Sequence, residues 1–385
     1  MRIACFHNRY RERGGEDVAV ETQIQLLAKA GHDVRLCAVD NREEIRGVGG
    51  ALRTARFARW NPHTRARVAA FLEDFPADVA HVHNFFPVLS PSLHHALHER
   101  GVPVVQTLHN FRLVCGNALL LRDGKPCEEC VTRGPWRAVR HACYRGSRVQ
   151  SAVWADMTRH HRRRDTWRDC VARFVVPSAF ARDLLAAAGL PVERTCVIPN
   201  PVEDPNAAQR RGAGAIYVGR LSPEKGVDLL LDAWRALDGH PLTLVGAGPE
   251  EASLRRRAEG LPNVHFAGSL SHPRALEAVA TAAFAVVPSR AREVFGLTTL
   301  EAMARARPVI VPAGSAMAEL VEPGSTGLHF SAGDAKSLAA ACRRLACDPD
   351  RTQELGLLAR EAYEARFAPD HVVAGLEAVY ASVAR

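Results

Sequence analysis

Short apolar runs alternate with amphipathic stretches along nearly the whole chain. Residues 3–7 (IACFH) read as a buried strand, 16–31 as a helix with Val20, Ile24, Leu27 and Ala28 on one side, and 33–39 as the next strand. Runs at 78–83 and 102–108 flank a helix at about 93–100, and a strand at 174–177 leads into a helix at 179–188. Residues 197–214 (VIPNPVEDPNAAQRRGAG) are dense in Pro, Asn and Gly and mark a boundary. Beyond it the alternation resumes, with strands at 215–218, 242–245, 264–267, 285–288, 309–311 and 328–330. Strands alternating with helices imply parallel sheets covered on both faces. The pattern therefore predicts an α/β protein of two tandem Rossmann-like, doubly wound domains. These are an N-terminal domain over 1–200 and a C-terminal domain over 201–369, followed by a helix within 370–385. Ligands are expected in an interdomain cleft, at the carboxyl ends of the strands.

The most informative segment is 286–308, VVPSRAREVFGLTTLEAMARARP. It reads as a strand, a loop, a glycine and a helix. Glu293 lies in the loop and Glu301 in the helix. A helix start leaves backbone N–H groups without intrahelical partners, and such an end attracts phosphate. Carboxylates on either side suit a ligand with hydroxyls at both ends, as in a nucleoside diphosphate sugar. In the same domain VGRLSPEKGVD, 218–228, ends a strand and leads into a helix. There Arg220 offers a fork and Lys225 a point charge to a diphosphate. LVGAGPE, 244–250, is a strand followed by a glycine turn that lets backbone approach a nucleotide closely. In the first domain Gly14 and Gly15 precede a helix, where glycines form an anion-binding nest. His109, in TLHNFR, stands just past a strand end, whereas His81 and His83 read as structural or acceptor-lining.

The series E-x-F-G-L-x-x-x-E-A-M-A followed by P-V-I resembles the signature of retaining glycosyltransferases of family 4, which have the GT-B fold. The resemblance covers nearly the whole chain and implies a hexose transferred from a UDP- or GDP-linked sugar to a glycan or lipid-linked acceptor. It implies cell-envelope or exopolysaccharide biosynthesis as the setting. It assigns Glu293 to the donor-sugar hydroxyls, Glu301 to the ribose, Arg220 and Lys225 to the diphosphate, and His109 to the donor sugar. Gly14 and Gly15 would face the donor phosphates, and Gly248 and Pro249 would line the nucleotide pocket. Phe295, Gly296, Leu297 and Thr298 complete the donor-binding set. The family reaction is a front-face attack in which a donor phosphate oxygen takes the acceptor proton, with no catalytic metal or other cofactor. The last helix resembles the family element that crosses back to the N-terminal domain. The sequence departs from the family in GSAMAEL, 314–320, and in Arg307, where glycine is common.

Cys115, Cys127, Cys130 and Cys143 form C-x11-C-x2-C-x12-C within an insertion at about 112–146. Four thiols with one tight pair suit a tetrahedral structural zinc, and a subset of the family has a similar insertion. Free thiols or redox-active pairs are the other reading. The formal net charge of +8 favours anionic partners. Arginines 53, 56 and 59 lie at helical spacing beside Phe57 and Trp60, a pattern that suits the face of an anionic membrane as well as a solvated helix. No apolar run is long enough to cross a bilayer and the start lacks a leader pattern, so a cytoplasmic protein, peripheral on the inner face of the membrane, is expected. Two other classes compete: a different enzyme of the same fold, and a zinc-containing nucleic-acid-binding or scaffold protein. Aromatic content of 6% and the place of the cysteine cluster within an enzyme-like domain argue against a nucleic-acid partner.

Overall fold

The computed structural model describes residues 1–205 and 211–384, so part of the expected linker, 206–210, lies outside the described residues. The chain divides into two units. One comprises Met1–Leu120, Cys127–Pro201 and Asp370–Arg385; the other comprises Leu121–Pro126 and Val202–Pro369.

The first unit holds six strands: β1 (Arg2–Arg9), β2 (Asp33–Asp40), β3 (Val79–Val82), β4 (Val104–Thr107), β5 (Arg173–Val176) and β6 (Thr195–Val197). They form one sheet in the order β2-β1-β3-β4-β5-β6, with every pairing parallel. A parallel sheet needs crossovers that cover its faces, which is why its strands read as uninterrupted apolar runs. Helix α1 (Gly15–Lys29) is one crossover, and its Leu27 packs with Ile3, Val79, Val105 and Val175. Helix α2 (Gly47–Phe57) follows β2, and α3 (Arg148–Arg163) begins behind the Ser147 cap, whose hydroxyl accepts the Gln150 N–H. The basic stretch at 52–67 is not one helix. α2 ends at Phe57, and the Asn61 side chain caps a second helix, Pro62–Asp74, with proline in its first turn. Trp60 falls in the break and stacks near His95 and His161.

The second unit holds β7 (Ala215–Val218), β8 (Leu242–Val245), β9 (Val264–Gly268), β10 (Phe284–Val286), β11 (Val309–Pro312) and β12 (Gly327–Phe330), ordered β9-β8-β7-β10-β11-β12 and parallel throughout. Alternate side chains go to opposite cores. Tyr217, Leu244, Phe284 and Ile310 enter one, and Ile216, Val245, Ala285 and Val309 enter the other. Helices α4 (Val227–Trp234), α5 (Leu297–Met303) and α6 (Pro349–Phe367) lie on these faces. The order reverses between β7 and β10, the topological switch point where doubly wound sheets take ligands.

The last helix, α7 (Pro369–Ala381), belongs with the first unit from Asp370 onward. Its Val372, Leu376, Val379 and Tyr380 are buried against Ile3, Cys5, Val105 and Ile198. The Tyr380 hydroxyl reaches His81 Nδ1 at 2.6 Å.

Candidate active site

At the switch point of the second unit, the loop after β7 makes one 3-10 turn, Pro223–Lys225. It ends at Gly226, whose φ is +69°. A Cβ there would sit 2.2 Å from the Pro288 carbonyl oxygen, so only glycine lets this loop rest on the end of β10. The two loops are tied further: Arg290 and Ala291 N–H groups donate to the Glu224 carbonyl, and Arg290 forms a two-pronged pair with Asp228 at 2.5 and 2.8 Å. This scaffold brings Lys225 to Glu293, with Nζ 2.8 Å from Oε1. Burial works against both charges. For Glu293 it is outweighed by Lys225 and by the Ser289 hydroxyl, which hold the carboxyl below its ordinary range. For Lys225 it is outweighed by Glu293, with a smaller contribution from Glu224, which holds the ammonium above its own range. The pair is therefore ionic and preformed.

Glu301 is 7% exposed, and its Oε1 lies 2.7 Å from His272 Nε2. Gly296, at φ +105°, precedes α5, and a Cβ on it would strike Met317 Cγ at 2.3 Å. Phe295 is a core residue, 2% exposed, so what it can offer a ligand is backbone. Leu297 packs partly against the same core, and the Thr298 hydroxyl is 3.5 Å from the Val218 carbonyl. Arg220 is exposed, and its carbonyl accepts the Tyr217 hydroxyl. The glycine turn after β8 has a steric cause within the fold itself. A Cβ on Gly246 would meet the Gly219 oxygen at 1.9 Å, and one on Gly248 the Leu221 oxygen at 2.2 Å. Those glycines let two neighbouring loops touch backbone to backbone, with Pro249 following.

In the first unit, Gly14 caps α1 in extended conformation, and a Cβ on it would meet nothing within 4 Å. Its N–H donates to Asp17 Oδ2 at 2.9 Å, while Asp17 Oδ1 lies 2.9 Å from His7 Nε2. Burial raises the Asp17 pKa, but His7, the Gly14 N–H and Arg9 bring it below the usual range. His7 is 1% exposed, and its Nδ1 has no partner among the described residues. His109 Nε2 is 3.0 Å from His83 Nδ1, and the two rings lie 25° from parallel. Burial and the neighbouring His7 push His109 down to about 3, against Asn200 and Asp17. His81 is pushed to about 3 by burial and by His109, and it bonds Thr107, Gln23 and Tyr380. In the first turn of α1, Glu16 accepts from Tyr10 at 2.9 Å and Asn110 at 3.1 Å. Sequence reasoning missed His7, Asp17, Glu16 and His272 as partners, because each pairs only after folding.

The four cysteines of the insertion gather in the first unit. Burial pushes the Cys130 thiol up to about 11, and Cys115, Cys143 and Cys127 are close enough to act on it. The Cys115 sulfur is approached by the backbone N–H groups of Leu120, Asn117, Leu119 and Ala118. Among the described residues no group of three or more His, Cys, Asp or Glu side chains is arranged to hold a metal ion. No disulfide joins any of the ten cysteines. No helix among the described residues is long and apolar enough to cross a membrane.

Comparison with known proteins places this geometry. Residues 13–204 match the family described as Glycosyltransferase Family 4, and residues 213–348 match Glycosyl transferases group 1. The chain belongs to the glycosyltransferases of the GT-B fold. Among curated relatives, glycogen synthase of Mycobacterium tuberculosis is 34% identical over 191 residues, 47% of this chain and 46% of that one. O-antigen chain mannosyltransferase C of Escherichia coli is 32% identical over 162 residues, 41% of this chain and 43% of that one. The matches thus span a little under half the length of these relatives. Among solved structures, Anabaena HepE in complex with UDP superposes with a TM-score of 0.69 at 18% identity, covering 99% of this chain and 100% of that one. Sucrose-phosphate synthase of Thermosynechococcus elongatus does so with a TM-score of 0.68 at 22% identity, covering 99% and 98%.

Proposed function

We propose that this protein transfers a hexosyl group from a UDP- or GDP-linked sugar to a hydroxyl of a glycan or lipid-linked acceptor, with retention of anomeric configuration. The observation that carries this reading is the Lys225–Glu293 pair at the carboxyl ends of β7 and β10. Lys225 and Arg220 neutralise the diphosphate as the bond from the sugar to the phosphate oxygen breaks. Electrostatic stabilisation of that kind is commonly the largest catalytic term. Glu293, already ionised, accepts from sugar hydroxyls, and its pairing with Lys225 aligns both groups before the donor arrives. Glu301, oriented by His272, takes the ribose hydroxyls. The acceptor oxygen bonds to the anomeric carbon on the face the diphosphate leaves, and its proton passes to a diphosphate oxygen. Of the first-unit residues, Gly14 leaves room for an anion at the start of α1, as a Cβ on it would meet nothing within 4 Å.

Support for the donor class comes from HepE, which was solved with UDP and with UDP-glucose, and from a GDP-mannose-dependent relative. The names of relatives that build O-antigen and phosphatidylinositol mannosides support cell-envelope or exopolysaccharide glycans as the setting. A cytoplasmic location, where thiols stay reduced, goes with this reading. The four-cysteine insertion is proposed to take one structural zinc, which would draw the four sulfurs in around it. Metal analysis of the purified protein decides this: about one zinc per chain is expected, and metal-free folded protein overturns it.

The deciding experiment for the transferase reading is calorimetric titration with UDP, GDP and ADP. One nucleotide is expected to bind selectively, and Lys225→Ala to weaken it by about 10–100-fold, the value of one charge-assisted hydrogen bond. Absence of binding by all three removes the donor site and the reading with it.

A further inference from the structure

Helix α2 carries its apolar side outward. None of its residues is buried, and Val48 and Leu52, one turn apart, are 77% and 66% exposed. At a 3.6-residue repeat Val48, Ala51, Leu52 and Ala55 share one side. The opposite side, Gly50, Thr54 and Phe57, faces the unit: a Cβ on Gly50 would meet the Glu44 carbonyl oxygen at 3.0 Å, and all three are partly covered. Surface helices ordinarily bury the apolar side. Thr54 and Phe57, with Asn61 and Pro87, instead line a polar hollow on the inner side.

The outward strip is flanked by cations. Between residues 42 and 59 five arginines stand against two glutamates. Several are already engaged: Arg42 with Asp40, Arg53 with Glu44 and Arg59 with Asp156. Arg46 precedes the helix and is exposed, and its Nε–H donates to the Arg42 carbonyl at 3.4 Å. Arg56 is exposed beside the strip, with its guanidinium 5.8 Å from the Phe57 ring centre. An apolar strip bordered by exposed arginines matches the interfacial zone of an anionic bilayer, where aliphatic side chains enter the acyl boundary and arginines meet lipid phosphates.

We propose that α2 docks this protein on an anionic membrane surface, with Val48 and Leu52 inserted and Arg46 and Arg56 at the headgroups. The inference rests on the lipid-linked acceptor reading for its purpose only, since such an acceptor must be met at a membrane.

The test is co-sedimentation of the full chain with vesicles of phosphatidylcholine alone or mixed with phosphatidylglycerol. Nucleotide affinity is measured in parallel, so that failure of docking and failure of the donor site are separately visible. The wild type is expected to sediment with the mixed vesicles and to be released by salt. Leu52→Glu is expected to lower partitioning at least about tenfold, as loss of one buried leucine requires, and Arg56→Glu to remove most of the preference for the anionic lipid. Nucleotide affinity should be unchanged in both variants. Equal binding by wild type and Leu52→Glu, or no binding to either vesicle, overturns the proposal. So does a wild type that is dimeric by sedimentation and becomes monomeric in Leu52→Glu without any vesicle binding, because the strip would then be covered by a second copy.

Discussion

Lys225 and Glu293 are 68 residues apart in sequence and 2.8 Å apart in the fold. Their pairing gives a pH signature with a definite sign. The Glu293 pKa is lowered on folding, so its ionisation stabilises the folded state above the ordinary carboxylate range, near 4.3, and that contribution is lost as pH falls through the lowered value. The Lys225 pKa is raised, so its contribution is present below the ordinary lysine range, near 10.4, and is lost as pH rises through the higher value. Glu293→Gln is therefore expected to flatten the acid limb of stability, measured by denaturant midpoints across pH, and to leave the neutral plateau shape intact. An acid limb identical to wild type would show that the pair does not form. For turnover, Glu293→Ala is expected to lower transfer by about 10²–10³-fold with the nucleotide still bound, and near-normal transfer would remove its sugar-orienting role. The sequence singled out both residues, each in a contiguous run with its own glycine punctuation, but not their pairing. Asp17 with His7 and Glu301 with His272 were not, because nothing local distinguishes such a histidine among the 17 in the chain.

Among the elements, strands were the most legible, since strands covered on both faces are continuous apolar runs bounded by turn residues. β6 was not foreseen: its three residues (Thr195–Val197) lie at the sheet edge and are only half-covered or exposed, so they carry no apolar run. The helical spacing of Arg53, Arg56 and Arg59 does not run to its end: the first helix stops at Phe57, and the Asn61 cap and Pro62 start another. The departure at Arg307 also has an elemental reading. Ala306 takes a left-handed turn at φ +55° just before it, and Arg307 is buried, 5% exposed, with its side chain drawn inward. The glycine turns set a testable expectation at this scale. Gly226→Ala should cost about 1–3 kcal/mol and also displace Lys225, because the new Cβ meets the Pro288 carbonyl at 2.2 Å. Gly14→Ala, with nothing within 4 Å of the new atom, should leave stability unchanged and reveal any ligand that needs the space. Equal melting temperatures for wild type and Gly226→Ala would contradict the steric account.

At the level of the molecule, periodicity exposed two α/β halves, while their membership could not be read from it. The hairpin Leu121–Arg122 and Lys125–Pro126 groups with the second unit although it lies within the first half of the sequence. The last helix groups with the first unit. Apolar spacing in α7 signals only that one side is buried; which sheet it covers is a tertiary choice that sequence spacing does not record. Four side chains of α7, at about 1.5–3 kcal/mol each when fully buried, amount to a large share of the ~5–15 kcal/mol that ordinarily holds a domain together. Truncation after residue 369 is thus expected to unfold the first unit, seen as loss of its amide-exchange protection, while the second unit stays protected.

That last helix also sets an order of events during synthesis. Domains commonly fold as they emerge from the ribosome, the amino-terminal one first. Here the wall that closes over Ile3 and Val105 comes only with Val372, Leu376, Val379 and Tyr380, which follow the whole of the second unit in the chain. The first sheet must wait with one face only partly covered, by α1, while the entire second unit is translated and can fold. A chain stalled or clipped before that point would leave part of this aliphatic surface open to chaperones and proteases, so α7 acts as a check that the second unit has been made before the first is closed.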